Sequence, residues 1–253
     1  MLTDPFSQSG YRCRLEWGRR GACAAALRRD IIVIIDTLSF STAVITAVHR
    51  GGLVYPCAMS TDAIAVAARV DAECAVGRRD VPHRGRFSLS AATYEGIAPG
   101  TRIVLQSPNG ATCSVYGGSV PNLLIGALVN AEAVATIVTK LLESTPHDVT
   151  MVCAGERWKD HEEGEDLRFA IEDYLGAGAI ISRLACTRSP EAQLCALAFQ
   201  AVETDVRSVI WECSSGRELR LAGFGADVEH AARLNSLDTV PCMSGEVLQA
   251  FAR

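Results

Sequence analysis

The stretch Ile31-Ile32-Val33-Ile34-Ile35-Asp36 decides the fold, because it joins an uninterrupted β-branched run to a carboxylate at its end. Such a run indicates a strand that is buried on both faces, as the strands of parallel sheets are. The hydroxyl residues Ser39, Ser41 and Thr42 follow the strand and open an apolar helix that runs through Val48. A buried strand leading directly into a helix is the repeating unit of an α/β sheet.

The same alternation recurs along the chain and predicts a single domain over residues 1–253. No repeat, linker or low-complexity segment divides it. The pair Gly176 and Gly178 indicates close packing of its helix against a neighbour. We therefore expect a three-layer α/β/α fold with a largely parallel or mixed sheet. Further strands are predicted at 53–57, 73–76, 102–106, 122–126 and 148–153, and further helices at 63–70, 131–143, 166–182 and 227–234.

Composition excludes several classes of protein. The 253 residues are 49% hydrophobic and 21% charged, which is typical of a globular domain and excludes disorder. A formal net charge of -5 disfavours a nucleic-acid partner. No run of 18 apolar residues is present, so no membrane partner is expected. The start of the chain has no basic region followed by an apolar run, and we expect a cytoplasmic location.

The ten cysteines are spread singly and form no Cys-x-x-Cys pair. Most have apolar or small neighbours, where cysteine behaves as a small core residue. The sequence therefore favours reduced, buried thiols over a disulfide framework or a zinc site.

In α/β sheets the ligand crevice lies beyond the carboxyl ends of the strands, so the residues after each strand are the candidates for chemistry. Asp36, followed by Ser41 and Thr42 at a helix start, offers a metal or nucleophile position beside an anion-binding helix N-terminus. The alternative is that Asp36 only caps the helix and the hydroxyls satisfy its first amides. Asn109 and Gly110 form a turn whose amides could point at an anion, or an ordinary turn.

The richest segment is Cys153-Ala154-Gly155-Glu156-Arg157-Trp158. Its carboxylate, together with Glu172 and Asp173 inside an apolar helix, could converge on a hard cation with oxygen ligands. Arg157 could hold an anionic oxygen by a forked hydrogen bond. The acidic run 159–163 has the composition of a solvated face. Arg78 belongs to an Arg-rich loop that either binds a polyanion or is simply exposed.

Familiar catalytic motifs are absent. The chain has no Gly-x-x-x-x-Gly-Lys-Ser/Thr loop and no Gly-x-Ser-x-Gly elbow, which excludes a P-loop NTPase and disfavours an α/β hydrolase. Asp36 is followed by Thr37 and Leu38, so the Asp-x-Asp pair of haloacid-dehalogenase-type phosphatases is missing. None of the five histidines pairs with another at metal-ligand spacing.

Eight blocks of the chain match a known pattern: residues 35–44, 77–79, 107–111, 126–131, 153–157, 172–178, 215–219 and 223–228. Together these blocks resemble the 2-phosphosulfolactate phosphatase (ComB) family. They occur in the order of the family and extend over essentially the whole chain. Two blocks depart from the family pattern: Leu38-Ser39-Phe40 stands where many members have Leu-Arg-Ala, and the segment 87–93 lacks a carboxylate and an asparagine.

The resemblance implies a Mg²⁺-dependent phosphatase that converts (2R)-phospho-3-sulfolactate to 3-sulfolactate and phosphate, a step of coenzyme M biosynthesis. The implied partner is a small anionic phosphorylated substrate, and a homodimer is compatible with the sequence. Two alternatives stay open: a non-catalytic scaffold that binds a small anion, and a phosphatase for another phosphorylated 2-hydroxy acid. Attack by a carboxylate, with Asp36 as the nucleophile, and direct attack by water also both stay open.

The predicted site has three groups of residues. Phosphoryl transfer is governed by charge neutralisation and positioning, so the predicted roles are to hold Mg²⁺, to bind the anionic groups and to donate to the phosphoryl oxygens. We assign catalysis to Asp36, Glu156 and Arg157, metal binding to Asp36, Glu172 and Asp173, and substrate binding to Ser41, Thr42, Arg78, Asn109 and Gly110.

Overall fold

The chain is described by a computed structural model over residues 5–158 and 167–252. Eleven strands occur in these ranges: β1 Cys13–Trp17, β2 Ile31–Ile35, β3 Leu53–Cys57, β4 Glu73–Cys74, β5 Arg102–Gln106, β6 Leu123–Gly126, β7 Val149–Cys153, β8 Glu156–Arg157, β9 Leu167–Arg168, β10 Pro241–Ser244 and β11 Val247–Ala250. The same ranges contain ten α-helices: α1 Gly18–Arg28, α2 Phe40–His49, α3 Ala63–Val70, α4 Gly110–Gly117, α5 Ala131–Ser144, α6 Ile171–Ile181, α7 Pro190–Val202, α8 Val206–Glu212, α9 Ser214–Leu221 and α10 Gly225–Ala231.

Nine strands form one mixed sheet in the order β1-β7-β2-β6-β10-β11-β3-β5-β4. The first four strands are mutually parallel, and so are the last three. The hairpin β10–β11 pairs antiparallel with β6 on one side and with β3 on the other. The α/β fold with a mixed sheet is therefore confirmed, and the C-terminal hairpin in its middle is a feature that the sequence did not predict.

Alternation along β2 divides its side chains between two cores, which makes the three layers. Ile31, Val33 and Ile35 pack with helices α5 to α10 on one face. Ile32 and Ile34 pack with α1, α2 and α4 on the other face. All five residues are buried, as the β-branched run predicts, because a strand in mid-sheet has no solvent face.

The two glycines of α6 allow close approach of neighbouring segments, as predicted. A Cβ at Gly178 would lie 2.4 Å from the carbonyl oxygen of Cys195 on α7. A Cβ at Gly176 would lie 2.7 Å from Thr37 Oγ1, just beyond β2. The helix therefore packs directly over the carboxyl end of the central strand.

The helix predicted over 166–182 is shorter in the structure. It begins at Ile171, because Leu167 and Arg168 form β9 and pair antiparallel with Glu156 and Arg157 of β8. The run 159–163 and the residues Glu165 and Asp166 lie outside the described residues. The strand predicted to reach residue 76 ends at Cys74.

All ten cysteines are free thiols, and six of them are buried. Within the described ranges, no helix has both the length and the apolar character needed to cross a membrane.

Candidate active site

Asp36 lies directly after β2 and is buried. One of its carboxylate oxygens accepts the Phe40 N–H at 3.1 Å, and the other accepts the Gly110 N–H at 2.8 Å. Asp36 therefore joins the beginning of α4 to the beginning of α2, and its capping role is real. The Gly110 N–H thus points at Asp36, and the predicted substrate-binding role of the Asn109-Gly110 turn stays a prediction.

The hydroxyls of Ser41 and Thr42 hydrogen bond to backbone carbonyls. Ser41 Oγ donates to the carbonyl of Ile34 at 3.3 Å, and Thr42 Oγ1 donates to the carbonyl of Thr37 at 2.8 Å. Both side chains are buried, and a hydroxyl has only one hydrogen to donate. Both hydroxyls therefore hold the loop after β2, and the predicted role of this helix start in substrate binding stays a prediction.

Asp173, in the first turn of α6, links the ends of two neighbouring strands. Its oxygens accept the N–H of Thr37 at 2.7 Å and the N–H of Gly155 at 2.9 Å. Glu172 beside it is also buried. Asp173 thus lies against the loops that follow β2 and β7, and the metal-binding role of Glu172 and Asp173 stays a prediction.

Asn109, Glu156 and Arg157 form a connected group across those loops. Asn109 Nδ2 donates to Glu156 Oε2 at 3.1 Å, and Asn109 Oδ1 accepts from Arg157 Nε at 3.3 Å. Arg157 Nη2 also donates to the carbonyl of Pro108 at 2.9 Å. The turn after β5 therefore positions both a carboxylate and a guanidinium, which an ordinary exposed turn would not do.

Glu156 is the carboxyl group best placed to exchange a proton near neutral pH. Burial, with the negative charges of Asp36 and Glu172, raises its pKa to about 7. Arg168 and the hydrogen bond from Asn109 act in the opposite direction. A raised carboxyl pKa of this kind is typical of general acids and bases.

Asp36 and Asp173, like Glu156, are buried close to other negative charges. Burial raises the pKa of Asp36, although the backbone hydrogen bonds from Gly110 and Phe40 act to lower it. Burial also raises the pKa of Asp173, and the negative charges of Asp36 and Glu172 add to this effect. In the part of the chain that the structure describes, no three His, Cys, Asp or Glu side chains are arranged to hold a metal ion.

A cleft of about 590 Å³ opens beside this group. Two predicted residues, Asn109 and Arg157, line it. Arg19 and Arg20, at the beginning of α1, also line the cleft and were not predicted. Their position directly after the strand that ends at Trp17 is the sequence feature that could have identified them. The other lining residues include Gly18, Pro108, Cys113, Ala154 and Leu167.

Arg78 lies in a separate cleft of about 600 Å³, which shares Pro108 with the first. Arg78 Nε donates to Asp227 Oδ2 at 2.8 Å, and Arg78 Nη2 donates to Ser39 Oγ. Its guanidinium also lies over the ring of Phe224, 5.6 Å from the ring centroid. Arg78 is thus bound to the loop after Asp36 and not to the cleft that contains Arg157.

Comparison with known proteins agrees with the resemblance seen in the sequence. The sequence model of the 2-phosphosulpholactate phosphatase family matches residues 22–246. A protein of Carboxydothermus hydrogenoformans, named "probable 2-phosphosulfolactate phosphatase", is 30% identical over 83% of this chain and 84% of its own length. A protein of Parasynechococcus marenigrum with the same name is 29% identical over 88% of this chain and 93% of its own length.

Proposed function

The chain belongs to the 2-phosphosulpholactate phosphatase family, and we propose that it hydrolyses (2R)-phospho-3-sulfolactate to 3-sulfolactate and phosphate with the help of Mg²⁺. This reaction would supply a biosynthetic route of the coenzyme M type. The observation that carries the proposal is the hydrogen bond between Glu156, a carboxyl group with a pKa of about 7, and Asn109, which lines a cleft together with three arginines.

The cleft suits a small substrate with more than one anionic group. Arg19, Arg20 and Arg157 bring three guanidinium groups to its lining, and guanidinium donors match phosphate, sulfonate or carboxylate oxygens in charge and geometry. Asn109 holds Arg157 through Nε and Oδ1, so the orientation of this guanidinium is fixed before a substrate arrives. These contacts support a phosphorylated hydroxy acid over a neutral substrate.

Glu156 supplies the proton chemistry in the proposal. With a pKa of about 7, it is present in both protonation states at neutral pH. It would take a proton from the attacking water and deliver it to the leaving alkoxide oxygen of the hydroxy acid. Its hydrogen bond from Asn109 stabilises the charged form and holds the carboxylate beside a residue that lines the cleft.

Direct attack by water fits the contacts of Asp36 better than a phosphoenzyme does. Both oxygens of Asp36 accept backbone N–H groups, from Phe40 and Gly110. These bonds and its burial hold the carboxylate within the protein, away from a substrate in the cleft. Asp36 therefore organises the loop in the proposed mechanism, and water is the nucleophile.

The buried carboxylates fit a divalent cation in charge and in ligand chemistry. Their negative charges raise each other's pKa, which shows uncompensated charge that a hard cation would neutralise. Mg²⁺ commonly takes only one or two carboxylates and completes its shell with water and substrate phosphate. Glu172 would hold it, since Asp36 and Asp173 each use both oxygens on backbone N–H groups. The bound cation would neutralise phosphoryl oxygens.

The test is phosphate release from a panel of phosphorylated hydroxy acids, 2-phospho-3-sulfolactate included, with Mg²⁺ and with EDTA. We expect Mg²⁺-dependent release from the sulfonated compound, and a loss of about a hundredfold or more in Glu156→Gln. Glu143→Gln, at an exposed glutamate of α5, is the matched control and should keep full activity.

The outcomes separate the proposal from its alternatives. Release only from another panel member would keep the chemistry and change the substrate. No release from any compound, by a protein that is folded, would overturn the proposal in favour of a non-catalytic anion-binding scaffold. Unchanged activity of Glu156→Gln would remove this residue from the mechanism.

A further inference from the structure

The two-stranded ribbon of β8 and β9 places a positively charged residue beside Glu156. Glu156 on β8 is the direct partner of Arg168 on β9 in the antiparallel register of the ribbon. Side chains of directly opposed residues project from the same face, with their Cβ atoms about 4.5–5.5 Å apart. The pairing of these two short strands therefore makes Arg168 a cross-strand neighbour of Glu156.

Two contacts fix the guanidinium of Arg168. Its Nη2 donates to Ser215 Oγ at 3.3 Å, and Ser215 is a buried residue in the first turn of α9. The guanidinium also lies over the ring of Trp158, 5.8 Å from the ring centroid, which is within the range of cation–π attraction. Trp158 follows directly after β8. The contacts thus join Arg168 to α9 and to the end of the strand that carries Glu156.

The groups around Glu156 give this cation a chemical role. The negative charges of Asp36, after β2, and of Glu172, on α6, oppose ionisation of Glu156. Arg168 on β9 and the amide of Asn109, in the turn after β5, favour the ionised form. The charge state of Glu156 is therefore set by a balance between two carboxylates on one side and a guanidinium and an amide on the other.

We propose that Arg168, anchored by Ser215, is a positioning residue that keeps Glu156 ionised for its part in the reaction. This role rests on the proposed function, in which Glu156 takes a proton from the attacking water and must be charged to do so. A cation across the ribbon stabilises the charged carboxylate. A guanidinium suits this place, because it stays charged at every pH at which a carboxyl group titrates. Arg168 acts through Glu156 and not through a contact with the substrate.

Substitutions at Arg168 separate its charge from its packing against Trp158. Arg168→Gln keeps a polar side chain that can donate to Ser215 but removes the positive charge. Arg168→Lys keeps the charge and loses the planar fork of donors. The proposal therefore predicts a large effect of Arg168→Gln on Glu156 and a small effect of Arg168→Lys, whereas a packing role predicts similar effects of both.

The first experiment titrates Glu156 directly, without substrate and in EDTA. The full-length protein is labelled with 13C at the carboxyl carbon of the glutamate side chains, and NMR spectra are recorded between pH 5 and 9. The signal that disappears in Glu156→Gln identifies the residue. We expect a midpoint of about 7 in the wild-type protein and a midpoint about one pH unit higher in Arg168→Gln. Arg50→Gln, at the end of α2, is the matched control and should leave the midpoint in place.

The second experiment measures kcat/KM against pH for the same variants. In Arg168→Gln the limb that reports the ionisation of Glu156 should move upward by the same amount as the NMR midpoint. The rate at pH 7 should then fall about fivefold and recover at pH 9, because a shift of one unit lowers the ionised fraction at pH 7 by about that factor. Arg168→Lys should restore most of the rate at pH 7.

Ser215→Ala keeps the experiment informative if Arg168→Gln does not fold. It removes the anchor and leaves the charge, so it should move the midpoint of Glu156 in the same direction and by less. An unchanged midpoint in both Arg168→Gln and Ser215→Ala, or equal shifts in Arg168→Gln and Arg168→Lys, would overturn the proposal. A shifted midpoint in a protein that releases no phosphate would show that Arg168 controls Glu156 and that the proposed function alone is wrong.

Discussion

The amide of Asn109 donates to the carboxylate of Glu156 at 3.1 Å, so a residue of the turn after β5 fixes the carboxyl group that follows β7. The same amide accepts from Arg157, and it therefore sets the position of an acid and of a cation together. Its loss removes a donor that favours the charged form of Glu156.

Asn109→Ala should raise the pKa of Glu156 further and move the corresponding limb of the pH–rate profile upward. A hydrogen bond to a charged group contributes about 1.5 kcal/mol, which corresponds to a shift of about one pH unit. The profile of kcat/KM against pH measures this shift. Asn122→Ala, just before β6, should leave the profile in place. An unshifted profile in Asn109→Ala would show that this hydrogen bond does not tune Glu156.

The raised pKa of Glu156 predicts that the metal-free protein loses stability as the pH rises. A carboxyl group with a pKa of about 7 when folded and 4.5 otherwise binds more protons in the folded state between these values. Its contribution is therefore complete below about pH 4.5 and lost as the pH passes 7, by at most about 3 kcal/mol.

Urea unfolding in EDTA at several pH values measures that loss. In Glu156→Gln the decline between pH 4.5 and 7 should be smaller, because the amide does not titrate. At pH 8 the variant should be the more stable protein. A variant whose free energy of unfolding follows the wild-type curve at every pH would contradict the assignment.

Mg²⁺ should raise the midpoint of thermal unfolding, and it should do so more at pH 8 than at pH 5. A ligand that binds only the folded state stabilises it, and protons compete with the cation for the carboxylates. The shift should be lost in Glu172→Gln and kept in Glu143→Gln. An equal shift in both variants would place Mg²⁺ elsewhere on the protein.

Gly110→Ala should destabilise the protein and reduce activity. An added Cβ would lie 2.5 Å from Phe40 Cδ1 and 2.8 Å from Asp36 Oδ2 in a buried site, and overpacking of this kind costs about 1–3 kcal/mol. Gly96→Ala is the control, since its Cβ would meet nothing within 4 Å. Thermal denaturation measures the midpoint of unfolding of both variants. Equal midpoints would show that α4 can shift away from Asp36.

Arg157→Ala and Arg20→Ala should weaken substrate binding more than they slow turnover. Each loses a charge-assisted contact to a substrate anion, and a loss of about 1.5 kcal/mol is about tenfold in KM. Arg50→Ala, at the end of α2, is the control for loss of one positive charge. Steady-state kinetics separates KM from kcat; an unchanged KM in both variants would exclude the cleft as the substrate site.

The sequence determined the elements that depend on local pattern. The β-branched run Ile31–Ile35 predicted a doubly buried strand, and Gly176 and Gly178 predicted close packing of their helix, because periodicity and side-chain size act over a few residues. The sequence also predicted that the candidate carboxylates lie near one another, because parallel strands place their carboxyl ends at the same edge of a sheet.

Only the tertiary structure decided which partner each polar group takes. Ser41 and Gly110 both carry donors that fit a phosphate, yet the fold directs them to Ile34 and Asp36. Arg78 pairs with Asp227, 149 positions along the chain. Such choices depend on distances between remote segments in three dimensions, and hydrogen bonds form with whichever group lies within about 3 Å after the helices have packed.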